Sequence, residues 1–289
     1  MPDALVPPAL AVIAFGLLAS LGWGVADFGG GLTSRRAPVL GVLLSSQVAS
    51  LTVGVPIFAL SGEPAMQPAD IGIALVGGSF GAAGLALLYR GLSTGRMGVV
   101  APVAAVIAAT LPVAFGFLTE GIPSWLAIAG IVFAVVSVAL VSRAPAEPDG
   151  RPSGLKLAIG AGVLFASFTI LAAQFSEGLV VSPVVLLRVA SILAIAAWIM
   201  VRGEPWRVSL GLLPALLAIG VIDMTATAAY LSAIAVGPLA IAAILASLYP
   251  VITTILAAVV LRERIRPVHA VGILAAAAAV VLIAGASAA

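Results

Sequence analysis

The sequence has no cysteine, a single histidine (His269), and charge on only 8% of its 289 residues. Without cysteine there is no disulfide framework, thiol nucleophile or thiolate metal site. One histidine rules out multi-histidine metal centres. So little charge cannot cover a water-facing surface, because soluble domains carry about a quarter charged residues. Catalytic patterns are missing as well. There is no carboxylate pair at catalytic spacing, no Ser–His–Asp set and no phosphate loop, and Gly29–Gly30–Gly31 follows no strand. No enzyme activity, cofactor or metal is expected. Net charge is only +2, with the basic residues in short loops, which argues against a nucleic-acid partner. The N-terminus lacks the basic segment of a secretory signal, since Met1 to Pro8 carries only Asp3.

Apolar residues, by contrast, make up 63% of the chain, and the mean hydropathy is +1.28. A spanning helix needs about 20 mostly apolar residues. Ten stretches qualify: Ala9–Leu32, Pro38–Leu60, Ala69–Leu92, Met97–Leu118, Ile122–Val141, Gly154–Phe175, Pro183–Val201, Leu210–Ala233, Pro238–Leu261 and Pro267–Gly285. They are continuously apolar, unlike the alternating segments of a membrane barrel. The expected fold is therefore an all-α membrane protein of ten transmembrane helices. A polar linker at 146–153 divides it into a first five-helix unit (1–145) and a second (154–289).

Twelve of the 13 basic residues fall in, or at the edges of, the loops after the first, third, fifth, seventh and ninth stretches. The thirteenth, Arg188, lies inside the seventh, near its outer end, where snorkelling to the interface or structural pairing is expected. By the positive-inside rule these loops are cytoplasmic and both termini lie outside. Five helices per unit make the second copy enter the membrane from the opposite side. Inverted repeats of this kind place a substrate site near the midplane, around a central cavity.

Several motifs carry a resemblance. In the first half they are Trp23–Gly24–Val25–Ala26–Asp27–Phe28 and Leu88–Tyr89–Arg90–Gly91–Leu92–Ser93. In the second half they are Ser247–Leu248–Tyr249–Pro250–Val251, Leu261–Arg262–Glu263–Arg264 and the helix from Pro267 with Gly272. With ten helices and a mid-chain linker, the chain resembles the drug/metabolite transporter superfamily, in particular ten-helix exporters with two EamA domains. The resemblance implies a cavity lined mainly by the first, third, fourth, sixth, eighth and ninth helices. It also implies export of small metabolites, such as amino acids or toxic analogues, from a bacterial-type inner membrane. A lipid or lipid-linked flippase is the alternative.

Ionisable groups within a bilayer are costly and mark function or pairing. Asp223 is either a cavity or coupling residue, with protons as a candidate partner, or the ion-pair partner of Arg188. The two acids Asp27 and Asp223 would suit an ammonium group and Arg188 a carboxylate, the two ends of an amino acid. Asp223, Thr227 and Tyr230 share one helix face, as do Ser20, Trp23 and Asp27, while Ser167 and Gln174 stand seven apart. These stripes are expected to line the cavity or to pack between helices, and Tyr89 to gate the cavity or sit at the interface. Pro102, Pro112 and Pro250 remove helix hydrogen bonds and are hinge candidates. Gly77, Gly81 and Gly84 permit close helix contact. Glu63, Glu120 and Glu177 are expected to be solvated at the outer face. The partners expected are a small-molecule substrate and the lipid bilayer, with the chain a monomer or weak dimer.

Overall fold

The computed structural model describes residues 7–34, 36–94, 97–141, 154–260 and 267–288. The linker 146–153 and the basic cluster around Glu263 lie outside the described residues. The ordered elements are helical: α1 (Pro8–Ser34), α2 (Val39–Ser61), α3 (Pro68–Thr94), α4 (Met97–Thr119), α5 (Trp125–Val141), α6 (Leu155–Ala172), α7 (Val181–Arg202), α8 (Leu213–Val236), α9 (Leu239–Ala246), α10 (Tyr249–Val260) and α11 (Pro267–Ala288). A short 3-10 turn, Leu210–Leu212, leads into α8. Seven segments are long and apolar enough to cross a membrane, one of them the α9–α10 rod Leu239–Val260. Three shorter apolar helices, Val103–Thr119, Trp125–Leu140 and Pro267–Ile283, accompany them.

These sequences form helices because hydrocarbon offers the backbone no hydrogen-bond partner, and a helix satisfies its own. Serine and threonine obey the same constraint. The hydroxyls of Thr33, Ser46, Ser50, Thr225 and Ser232 all donate to carbonyls of their own helices. Large apolar side chains such as Leu193, Met200, Leu274 and Val281 point outward, as lipid contact requires. The core is built from alanine and small aliphatics; Ala19, Ala109, Ala233, Ala242 and Ala279 are fully buried.

The packing pattern is reciprocal. α1 lies along α8, and α6 along α3. α1 also packs on α9 and α10, and α6 on α4. α2 meets α7 and α8, whereas α7 meets α2 and α3, and α5 pairs with α11. Close approach needs missing side chains. The tightest example in α3 is Gly78, where an added Cβ would stand 2.3 Å from the Leu187 carbonyl oxygen of α7. Of the glycines singled out in the sequence, a Cβ added at Gly84 would stand 2.8 Å from the Phe165 ring, while Gly77 and Gly81 have more room.

Two of the three glutamates expected to be solvated are engaged in cross-chain bonds. The Glu63 carboxylate, in the α2–α3 loop, accepts the backbone N–H groups of Val180, Val181 and Ser182 at 3.0, 2.7 and 2.9 Å, and the Ser182 hydroxyl at 2.7 Å. It caps α7, whose own N-cap residue Val180 provides no side-chain bond. Glu120 does the same for α9, accepting from Leu239 N–H at 3.1 and 2.8 Å. Asp70, which sequence reasoning passed over, is buried and accepts from Gln67 N–H, Ser176 N–H and the Ser176 hydroxyl. A free helix N-terminus attracts a carboxylate because its N–H groups lack partners and carry partial positive charge. The expectation of solvation fails because these N-termini lie more than a hundred positions away in sequence.

Burial alone would raise the Glu63 carboxyl, but its bonds to Val181, Ser182 and Val180 outweigh that and hold it below the usual 4.5. A carboxyl depressed in the folded state adds stability above its unfolded value and loses that stability as pH falls through the folded value. Glu63→Ala should therefore cost about 1–2 kcal/mol at neutral pH. In detergent melts the gap to wild type should close as pH drops below 4.5 toward the lowered folded value. Gly78→Ala, which forces a side chain against backbone, should cost about 1–3 kcal/mol in the same melts.

Candidate functional site

The site begins with Arg188, placed by α7 at 7% exposure inside an otherwise apolar bundle. An unpaired guanidinium there would be prohibitive, and its partners converge from two other helices. Nη1 donates to Gln47 Oε1 of α2 at 3.1 Å and lies 2.8 Å from Asp223 Oδ2 of α8. Nη2 donates to the Asp223 carbonyl at 3.1 Å and to Thr227 Oγ1 at 2.6 Å. Nε is buried and finds no partner among the described residues. Arg188 therefore fastens α7 to α2 and α8. It does not snorkel toward an interface.

Thr227 extends the network. Its hydroxyl donates back to the Asp223 carbonyl at 2.9 Å and accepts from Trp23 Nε1 of α1 at 3.4 Å. The Trp23 ring lies 5.4 Å from that of Tyr230, tilted by 40°. Tyr230 is fully buried, and its hydroxyl donates to the Thr169 carbonyl of α6 at 3.2 Å. The α8 face predicted from the spacing of Asp223, Thr227 and Tyr230 is thus the seam where α1, α6, α7 and α8 meet.

A cavity opens beside this seam, with about 970 Å³ of space including its mouth. Trp23, Asp27, Asp223 and Thr227 line it. So do residues that the sequence pattern did not single out as lining: Gln47 on α2, Thr169, Phe165 and Phe168 on α6, Ser191 on α7, and Ser247 and Tyr249 at the α9–α10 break. Gln47 and Ser191 bring α2 and α7 into a wall that the resemblance assigned to other helices. Polarity inside an apolar run was the available signal for Gln47. Phe165 and Phe168 gave none, because an aromatic in a membrane helix is unremarkable by pattern.

Other predicted positions sit elsewhere. Ser20 is buried but does not line the cavity, and Tyr230 stands behind Trp23. Ser167 is half-buried and outside the lining. Gln174 is exposed and lies past the end of α6 at Ala172, so it does not continue a helical stripe with Ser167. Tyr89 belongs to α3 and Pro102 to α4, but their side chains lie outside the described ones. α4 runs unbroken through Pro102 and the buried Pro112. At Pro250 the outcome differs: the ninth apolar stretch is broken into α9 and α10 at Ser247–Leu248, beside the cavity. Proline lacks the N–H that would continue the ladder, so the break falls just before it.

Comparison with known proteins agrees with this picture. Residues 152–285 match the EamA-like transporter family. A solved crystal structure shares the fold, with a TM-score of 0.72 at 20% identity over 96% of this chain and 95% of that one. No curated protein sequence gives a significant match. The family match supports the resemblance to the drug/metabolite transporter superfamily. Together with the apolar helices, it points to a multi-pass membrane protein.

Thr227 offers a direct check of the seam. Thr227→Val should destabilise by about 1–3 kcal/mol, because Arg188 Nη2 and Trp23 Nε1 lose a shared acceptor away from water. Thr225→Val, whose hydroxyl is exposed and bonds only its own helix, should lie within about 0.5 kcal/mol of wild type. Detergent melts of the two variants compare them directly.

Proposed function

We propose that the protein is a transporter of small solutes, secondary active or facilitative, working by alternating access around this cavity. One observation carries the reading: a cavity with a few convergent polar groups and aromatic walls lies within a bundle of apolar helices. The family match over residues 152–285 supports it. Ten spans arranged as two inverted halves are part of this reading, and the reciprocal packing supports them. Exchanging the halves maps the α1–α8 contact onto α6–α3, and the α1 contact with α9 and α10 onto α6–α4. A pseudo-two-fold axis of that kind would put the site between repeats, with broken helices lining it, and the break at Ser247–Leu248 beside the cavity supports this.

Positive-inside topology would place the basic loops in the cytoplasm and the Glu63, Asp70 and Glu120 bonds at the outer face. The break before Pro250 and the outer carboxylate bonds are natural places for movement, since each can be remade without disturbing the Arg188 seam. Loss of the Asp223 carboxylate would leave a buried guanidinium without its counter-charge.

Counterflow in liposomes loaded with a metabolite panel tests the proposal. The expected result is exchange of at least one small solute that requires the protein. Scrambling of labelled lipid with no solute exchange would instead support a flippase.

A further inference from the structure

Among the described residues the cavity is lined by three charged side chains, Asp27, Arg188 and Asp223. Arg188 and Asp223 neutralise one another at 2.8 Å. The guanidinium is also spent as a donor. Nη1 and Nη2 are committed to Gln47, Asp223 and Thr227, and Nε is sealed from solvent. It therefore cannot present the two-pronged face with which arginine grips a carboxylate. The expectation that Arg188 receives the acidic end of an amino acid loses its donor.

Asp27 is different. Among the described residues no hydrogen bond or ion pair reaches its side chain, yet it lines the cavity one helical turn from Trp23. α1 is pressed against α10 at Gly24, where a Cβ would stand 2.8 Å from the Tyr249 carbonyl oxygen and 2.5 Å from Ile252 Cβ. This contact holds Asp27 on the wall that also carries Tyr249. Phe165 and Phe168 of α6 line the same cavity. A carboxylate with no counter-ion among the described residues, in a cavity lined by aromatic side chains, is a receptor for a cation with an apolar body. Ring faces attract positive charge, and the attraction grows as water is excluded.

We propose that the cavity takes small monovalent organic cations, of the primary-amine or substituted-ammonium class, with Asp27 as counter-ion. This rests on the transporter reading above and adds the charge class of the cargo. Arg188, by neutralising Asp223, leaves the site with a single negative charge and so sets the preference for one positive charge over two. Arg188 and Asp223 are positioning residues; Asp27 makes the contact.

Three probes share a phenyl ring and an ethyl chain and differ in the end group: 2-phenylethylammonium, 2-phenylethanol and 3-phenylpropionate. Their binding to the purified protein is followed by Trp fluorescence and calorimetry at mildly alkaline pH, and counterflow is run in parallel. The ammonium should bind about tenfold or more tighter than the alcohol, and the carboxylate weakest. Asp27→Asn should erase the preference for ammonium over alcohol, and Asp27→Glu should keep it. Size-exclusion profiles and melts of both variants guard against a folding defect. Equal binding of ammonium and alcohol, tightest binding of the carboxylate, or an intact preference in well-folded Asp27→Asn would each overturn the proposal. If the metabolite panel shows counterflow while the ammonium neither binds nor exchanges, the cation class fails and the transporter reading stands. If no solute moves and lipid does, the transporter reading itself fails.

Discussion

A guanidinium buried in an apolar helical bundle must be answered by its neighbours, and the architecture of this protein follows from how Arg188 is answered. The cost of burying an ion is repaid only with close counter-charge and hydrogen bonds to the remaining donors. Gln47, Asp223 and Thr227 provide them, and doing so fixes α2, α7 and α8 relative to each other. Thr227 then passes the constraint to Trp23 on α1, and Tyr230 passes it to α6. The cavity is the space left beside this chain of contacts.

At the opposite extreme of the energy scale stand the carboxylates that cap helices across the chain. Glu63 binds the start of α7, Glu120 the start of α9, and Asp70 the α6–α7 loop at Ser176. Each joins the first half of the chain to the second, and each lies at the end opposite the described basic residues Arg202 and Arg207. Most of their donors are backbone N–H groups near a helix end. Releasing these bonds strands no buried cation, whereas parting the Arg188 seam would leave its guanidinium unpaired inside the bundle. A centre held by the Arg188 pair, with carboxylate caps at one end, suits the alternating access proposed above.

The sequence revealed the apolar segments well, because about 20 uninterrupted apolar residues have few other uses. It also revealed the face shared by Asp223, Thr227 and Tyr230, because polar residues in hydrocarbon must find one another and spacing alone puts these three on one side. It left open whether Arg188 pairs or snorkels, since depth along a helix does not say which neighbour faces it. It failed for Glu63, Glu120 and Asp70, whose partners are backbone N–H groups that look the same at every position. Gln174 misled because the stripe presumed a helix that stops at Ala172. Pro102, Pro112 and Pro250 read alike in sequence. Only Pro250 coincides with a break in its helix, beside Ser247 on the cavity wall.

The claim that the Arg188–Asp223 pair organises the bundle is tested most directly by a double-mutant cycle on thermal stability. The variants are Arg188→Met, Asp223→Leu and the two combined. If the pair is a buried unit, each single change strands an uncompensated charge and should cost about 3–5 kcal/mol, and the double change should cost less than the sum. Losses that simply add, or single variants as stable as wild type, would show that the two side chains act independently and that the seam is not the centre of the structure.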